Sequence, residues 1–98
     1  MTLQGLLESA AAELDEVEEI AAAGGIEWRR GGRPFATVAG DAAEFRLQPP
    51  VAVAAARTPD TRPSPRGPEW VVFTPASLDG PAVDRAEAWF ASAWRYAE

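Results

Sequence analysis

The stretch Ile26–Leu47, IEWRRGGRPFATVAGDAAEFRL, reads as three short strands joined by two glycine turns, and it decides the fold class. Gly31-Gly32 has the form of a two-residue hairpin loop, which needs φ > 0 at one or both central positions. That loop sets Trp28 opposite Phe35 and Ile26 opposite Thr37, on one face. The second turn is read with three residues, Gly40-Asp41-Ala42. This pairs Phe35 with Leu47 and Thr37 with Phe45, so the large side chains gather on one side. A two-residue loop would send Phe45 and Leu47 to the other face, because a slip of one residue inverts a whole strand. The expected covered face is Ile26, Trp28, Phe35, Thr37, Ala39, Ala43, Phe45 and Leu47. The expected open face is Glu27, Arg29, Pro34, Ala36, Val38, Glu44 and Arg46.

Upstream, Leu3, Leu7, Ala10, Leu14, Val17 and Ala21 recur at spacings of four and three, which predicts a helix over residues 3–23. Thr2 is its expected cap, and Gly24-Gly25 its stop. Glu16, Glu18 and Glu19 then fall near the C-terminal end, where negative charge opposes the helix dipole. They are read either as a solvated face or as partners of the arginine-rich middle of the chain.

Downstream, Val51–Arg57 is read as a short helix, with an extended connector as the alternative. Thr58–Pro68 carries four prolines and is read as a rigid surface loop. Glu69–Thr74, EWVVFT, is β-branched and aromatic on both alternating sets, the pattern of an inner strand or of one whose second face meets a partner. Asp79 caps the last helix, with Leu78 and Val83 as a hydrophobic staple and Pro81 in the first turn. Val83, Ala86, Phe90, Ala93, Trp94 and Ala97 line its inner face, with Trp89 at the margin. The whole chain, 1–98, is thus expected to form a single α+β domain. It has an N-terminal helix, an antiparallel meander with a further strand, a short middle helix, and a C-terminal helix packed on one face of the sheet.

Composition narrows the chemistry. There is no Cys and no His, and all nine basic residues are Arg. Disulfides, thiolate sites, histidine general bases and lysine Schiff bases are excluded. No carboxylate set has a metal-ligand spacing, and no glycine loop has the phosphate-cradling form, so no catalytic residue, metal or cofactor is assigned. No apolar run approaches a membrane span and no signal peptide opens the chain, so a cytoplasmic protein is expected.

Net charge is −6, unevenly spread. Residues 1–28 hold seven acids and no base, whereas in residues 29–66 seven arginines against three acids leave +4. A pI of about 4.6 argues against gripping a phosphate backbone, which draws on clustered positive charge. Arg29 and Arg46 share the expected open face with Glu27 and Glu44 and have cross-strand pairing as their simplest role. Trp70 and Trp89 are the tryptophans that periodicity does not force inward. Arg29, Arg33, Arg46, Trp70 and Trp89 form the candidate interaction face, since Trp and Arg are enriched at interfaces.

The run Trp28-Arg29-Arg30-Gly31-Gly32-Arg33-Pro34-Phe35-Ala36-Thr37-Val38 resembles the hairpin of the YjbR/MmcQ-like bacterial proteins. Phe45-Arg46-Leu47 followed by prolines, Thr58-Pro59 through Pro65, Arg66-Gly67-Pro68-Glu69-Trp70-Val71 and Ala93-Trp94-Arg95-Tyr96-Ala97 follow in that family's order. The resemblance implies an α+β fold and a DNA-binding role without a defined catalytic site. Arg33 stands where that family has Lys. The small bacterial luciferase-domain proteins offer a second resemblance in the hairpin and closing helix, though their usual histidines are missing here. On the residues, the expected function is a non-catalytic module that binds a protein partner or a second copy of itself. The alternatives are DNA binding through the arginine-bearing face and a small-ligand binder with a tryptophan-lined pocket.

Overall fold

The computed structural model describes all 98 residues. Its elements are α1 (Leu3–Ala12), β1 (Glu18–Ala22), β2 (Gly25–Arg30), β3 (Arg33–Ala39), β4 (Ala42–Arg46), α2 (Pro49–Ala55), β5 (Thr61–Pro63), β6 (Trp70–Phe73) and α3 (Gly80–Tyr96). The strands form one antiparallel sheet in the order β1-β2-β3-β4-β6-β5. Helices α1 and α3 contact each other and pack on the same face of the sheet. The fold is α+β.

The first helix is ten residues long, not twenty-one. Thr2 caps it by accepting the Gly5 amide proton at 3.0 Å, as expected. It stops at Glu13, and the chain reverses through Glu16, whose φ is +58°. Residues Glu18–Ala22 then form an edge strand instead of two more helical turns. The strand removes the dipole conflict of Glu16, Glu18 and Glu19. It gives Glu19 the indole N–H of Trp28 at 2.9 Å and Glu18 the amide N–H of Gly32 at 3.1 Å. Gly24 therefore turns a hairpin, and Gly25 begins β2.

Gly31 and Gly32 make the expected two-residue turn, both at positive φ, with Arg30 paired to Arg33. The register then departs from expectation. A bulge between Trp28 and Arg29 inserts Phe35, so Trp28 faces Ala36 and Ile26 faces Val38. The second turn has two residues, Gly40-Asp41, with Ala39 paired to Ala42 and Ala36 to Phe45; Phe35 and Leu47 are not partners. The bulge does what the expected three-residue loop would do. It inverts β3 after Phe35, bringing Phe35, Ala36 and Val38 into the core with Trp28, Ala43, Phe45 and Leu47. Thr37 and Ala39 pass to the open side.

Leucines Leu3, Leu6 and Leu7 of α1 and Ala86, Phe90 and Ala93 of α3 cover this face. Phe90 takes Trp28 and Phe35 edge-on, each at 5.2 Å between ring centroids. Asp79 caps α3 through the Ala82 amide at 2.9 Å. Residues 49–55 are helical, with prolines in the first turn. The proline segment is more than a loop: Thr61–Pro63 pairs with β6, which makes β6 the inner strand its two-sided apolar pattern predicts.

Candidate functional site

The face of the sheet away from α1 and α3 carries one cross-strand rank, Ile20–Glu27–Thr37–Glu44–Val72–Arg62, successive register partners from edge to edge. In a flat sheet the outer two strands would stand roughly 24 Å apart. Here Ala22 and Ala23 beside one edge line the same trough, of about 320 Å³, as Arg62, Pro65 and Arg66 beside the other. The sheet is curled, and the trough is its hollow. Thr37 and Val72 lie nearly buried on the floor, with Ala39 and Ala42 beside them.

The acids of the trough are held by the chain's own bases. Arg29 Nε donates to Glu27 two residues away on β2. Glu44 accepts from Ser64 Oγ and, at 3.0 Å, from Arg66 Nε. The Ser64 hydroxyl oxygen in turn accepts the Arg66 amide proton at 3.1 Å, a closed clamp that fixes the wall after β5. Arg66 also lies 5.3 Å from the Trp70 ring centroid. Glu27 and Glu44 are thus both engaged by guanidinium groups of the chain itself.

At the lower end of the sheet, Arg46 donates to Glu69 from Nε at 3.2 Å and lies 3.1 Å from it through Nη2. The Tyr96 hydroxyl donates to the same carboxylate. This bond, ahead of the opposing effect of desolvation and the help of Arg46, holds Glu69 below the usual carboxylate value. The same bond, with desolvation, raises Tyr96. Behind it, Arg30 stacks 4.0 Å over Trp94, donates to the Trp94 carbonyl at 3.0 Å and reaches Glu16 at 3.7 Å. Glu16 thus does meet the arginine-rich middle.

Of the five candidate residues, Arg29, Arg46 and Trp70 lie on the open side. Arg29 meets Glu27 on its own strand, not across strands, and Arg46 meets Glu69 on the approach to neighbouring β6, not Glu44. Arg33 sits exposed at the hairpin tip, where its Nη1 donates to the Glu98 carbonyl at 3.3 Å. Trp89 belongs to the opposite face, against Phe45 at 6.3 Å and Phe73 at 5.4 Å between centroids. No tryptophan lines the trough. Four residues outside the five candidates take part here: Arg62, Ser64, Arg66 and Tyr96. A three-residue strand between prolines leaves no periodic signal, so nothing in the sequence places Arg62 and Ser64 on the sheet.

These features define a class, a small α+β domain with two helices on one face of a curled antiparallel sheet and a trough on the other. A protein from Pseudomonas syringae, known from a crystal structure determined by a structural genomics consortium, is similar in fold. Its TM-score is 0.72 and the match covers 100% of both chains, at 12% identity. At that identity the likeness is one of fold. No family model matches the sequence, and no curated protein matches it.

Proposed function

We propose that this domain is a non-catalytic interaction module. Its trough receives an extended, acidic segment of a partner protein. The observation that carries the reading is the state of Arg62. Of the four arginines on the open side, Arg29, Arg46 and Arg66 each have a carboxylate within 4 Å, and Arg62 has none. One free guanidinium over a floor of Thr37, Val72, Ala39 and Ala42 suits one carboxylate flanked by small apolar side chains. The clamp at Ser64 keeps the wall in place before the partner arrives, which lowers the ordering cost of binding.

A DNA-binding role, which the resemblance to YjbR/MmcQ-like proteins implies, needs several unpaired cations along one track. Here the open-side cations are mostly spent within the chain, whose net charge is −6. The tryptophan-lined ligand pocket loses its support, since Trp89 packs on the helix side. A cytoplasmic setting fits a chain without cysteine, in which no helix is long and apolar enough to cross a membrane.

Amide resonances of the intact domain, titrated with a short glutamate–valine peptide, its lysine–valine counterpart and duplex DNA, test the proposal. Shifts at Thr37, Ala42 and Val72 with the acidic peptide, lost in Arg62→Glu, are expected. A response to DNA that falls steeply with salt, or none to the acidic peptide, overturns it.

A further inference from the structure

The sheet ends at β1 in an unguarded edge, and we propose that a second copy of this chain pairs with it, β1 against β1 about a two-fold axis at Ile20. The backbone sets which groups face outward. Ala22 and Gly25 flank the two-residue turn at Ala23-Gly24, so they exchange both ladder bonds, and the pattern alternates from there. Glu18, Ile20 and Ala22 therefore turn their N–H and C=O groups toward β2. Glu19 and Ala21 turn theirs to the outside. Neither has a backbone hydrogen bond among the turn, loop and cap contacts, and β1 pairs with no strand but β2.

Natural edges are guarded by prolines, bulges or outward charge. The far edge has such a guard: β5 is three residues long and lies among Pro59, Pro63 and Pro65. The β1 edge has none of the first two. Its two acids are drawn back onto their own chain, Glu19 to the Trp28 indole and Glu18 to the Gly32 amide. The rest of the strand, Ile20, Ala21 and Ala22, is uncharged.

Charge and the Ile20 contact together then favour this register. In an antiparallel pair centred on Ile20, Glu19 exchanges both backbone bonds with Ala21 of the second copy, and Ala21 with its Glu19. Glu18 meets Ala22, so no two acids face each other. Ile20 meets Ile20 at the non-hydrogen-bonded position, where side chains are closest. Centring one residue toward the N-terminus on Glu19 would oppose two carboxylates. The strand is self-complementary, which an arbitrary foreign strand is not. Because Ala22 and Ala23 line the trough, the pairing would set two troughs side by side across a twelve-stranded sheet.

Sedimentation equilibrium of the full chain, with substitutions at the edge, tests the inference. The wild type is expected to be a dimer. Ala21→Pro removes an outward N–H that has no partner within the chain, and is expected to give a folded monomer by circular dichroism. Ile20→Lys and Ile20→Glu alone are each expected to raise the dissociation constant by more than about tenfold. Mixed together they are expected to recover it, which a folding defect would not do. The chain has no cysteine, so Ile20→Cys is a clean probe, expected to oxidise to a covalent dimer. A monomer at the highest soluble concentration overturns the inference, and so does a dimer indifferent to Ala21→Pro and to the charge mixing. The trough reading is separate: a dimer that ignores the acidic peptide, or a monomer that binds it, tells the two apart.

Discussion

Tyr96 donates its hydroxyl proton to Glu69, tying the last turn of α3 to the residue that leads into β6. Arg46 completes the tie, its guanidinium bonded to Glu69 and 4.8 Å from the Tyr96 ring centroid. Residues from β4, the β6 approach and the closing helix thus shut the lower end of the sheet. No single segment of sequence contains this site.

The tie has a pH signature. Glu69 is held below its ordinary value of 4.5, so its contribution to stability is complete above that value and is lost as pH falls through the lowered one. Tyr96 is held above 10.0, so its contribution is complete below that value and is lost as pH rises through the raised one. Thermal midpoints followed against pH should show a plateau between these limits. Tyr96 is the only tyrosine, so its absorbance titration is directly readable and should centre above 10.0. In Tyr96→Phe the alkaline loss assigned to this phenol should disappear. A wild-type phenol titrating at 10.0 or below would contradict the bond.

Phe90 is the ring on which the two sides of the bulge converge. It is fully buried and takes both Trp28 and Phe35 edge-on. Phe90→Ala removes the only aromatic surface these two rings share and leaves a cavity between α3 and the sheet. The expected loss is about 3–5 kcal/mol, a large part of the roughly 5–15 kcal/mol of a typical domain. Urea denaturation should show a lower midpoint; a loss under about 1 kcal/mol would mean the core closes without this ring.

How much of this was legible in the sequence depends on the range of the interactions. Asp79, Thr2 and Gly31-Gly32 were readable because a cap or a two-residue turn is settled within four residues. The inner position of Trp70–Phe73 was readable because both of its faces are apolar. The register of β3 was not. Gathering the large residues on one face was the right constraint, but it has two solutions, an odd loop or a bulge, and the sequence between Trp28 and Phe45 permits both. Strand β1 failed for a related reason. Val17, Ile20 and Ala21 fit a helical stripe, and only pairing with β2 makes Glu18–Ala22 extended. Arg62 and Ser64 depend on a three-residue strand that exists solely because β6 offers it an edge.

Gly25 tests the β1–β2–β3 junction. A Cβ there would stand 1.7 Å from the Val38 carbonyl oxygen, backbone that cannot step aside without opening the ladder. At neighbouring Gly24 a Cβ meets nothing within 4 Å, and only its φ of +76° is costly. Gly24→Ala should lose about 1–2 kcal/mol. Gly25→Ala should lose distinctly more and change the amide shifts of Val38 and Ala39. Equal effects would show that β2 and β3 do not approach so closely.

The clamp at the trough wall gives the most local test. Ser64, 7% exposed, donates to Glu44 and accepts from the Arg66 amide, while Arg66 Nε holds the other Glu44 oxygen. Ser64→Ala leaves one carboxylate oxygen and one amide short of a partner in a half-buried place, and should cost about 1–3 kcal/mol. Glu44→Gln should cost a similar amount by weakening both contacts. Because the two changes break one network, the double variant should be less damaged than the sum, with a coupling of about 0.5–3 kcal/mol in denaturation. The same amides report on position. The Ser64 N–H donates to the Trp70 carbonyl at 3.0 Å and the Trp70 N–H to the Gly67 carbonyl at 3.1 Å, so hydrogen exchange at both should quicken when the clamp is cut. Additive losses with unchanged exchange would mean that Glu44 and Ser64 act separately, and that the wall beside Arg62 is held by the β5–β6 ladder alone.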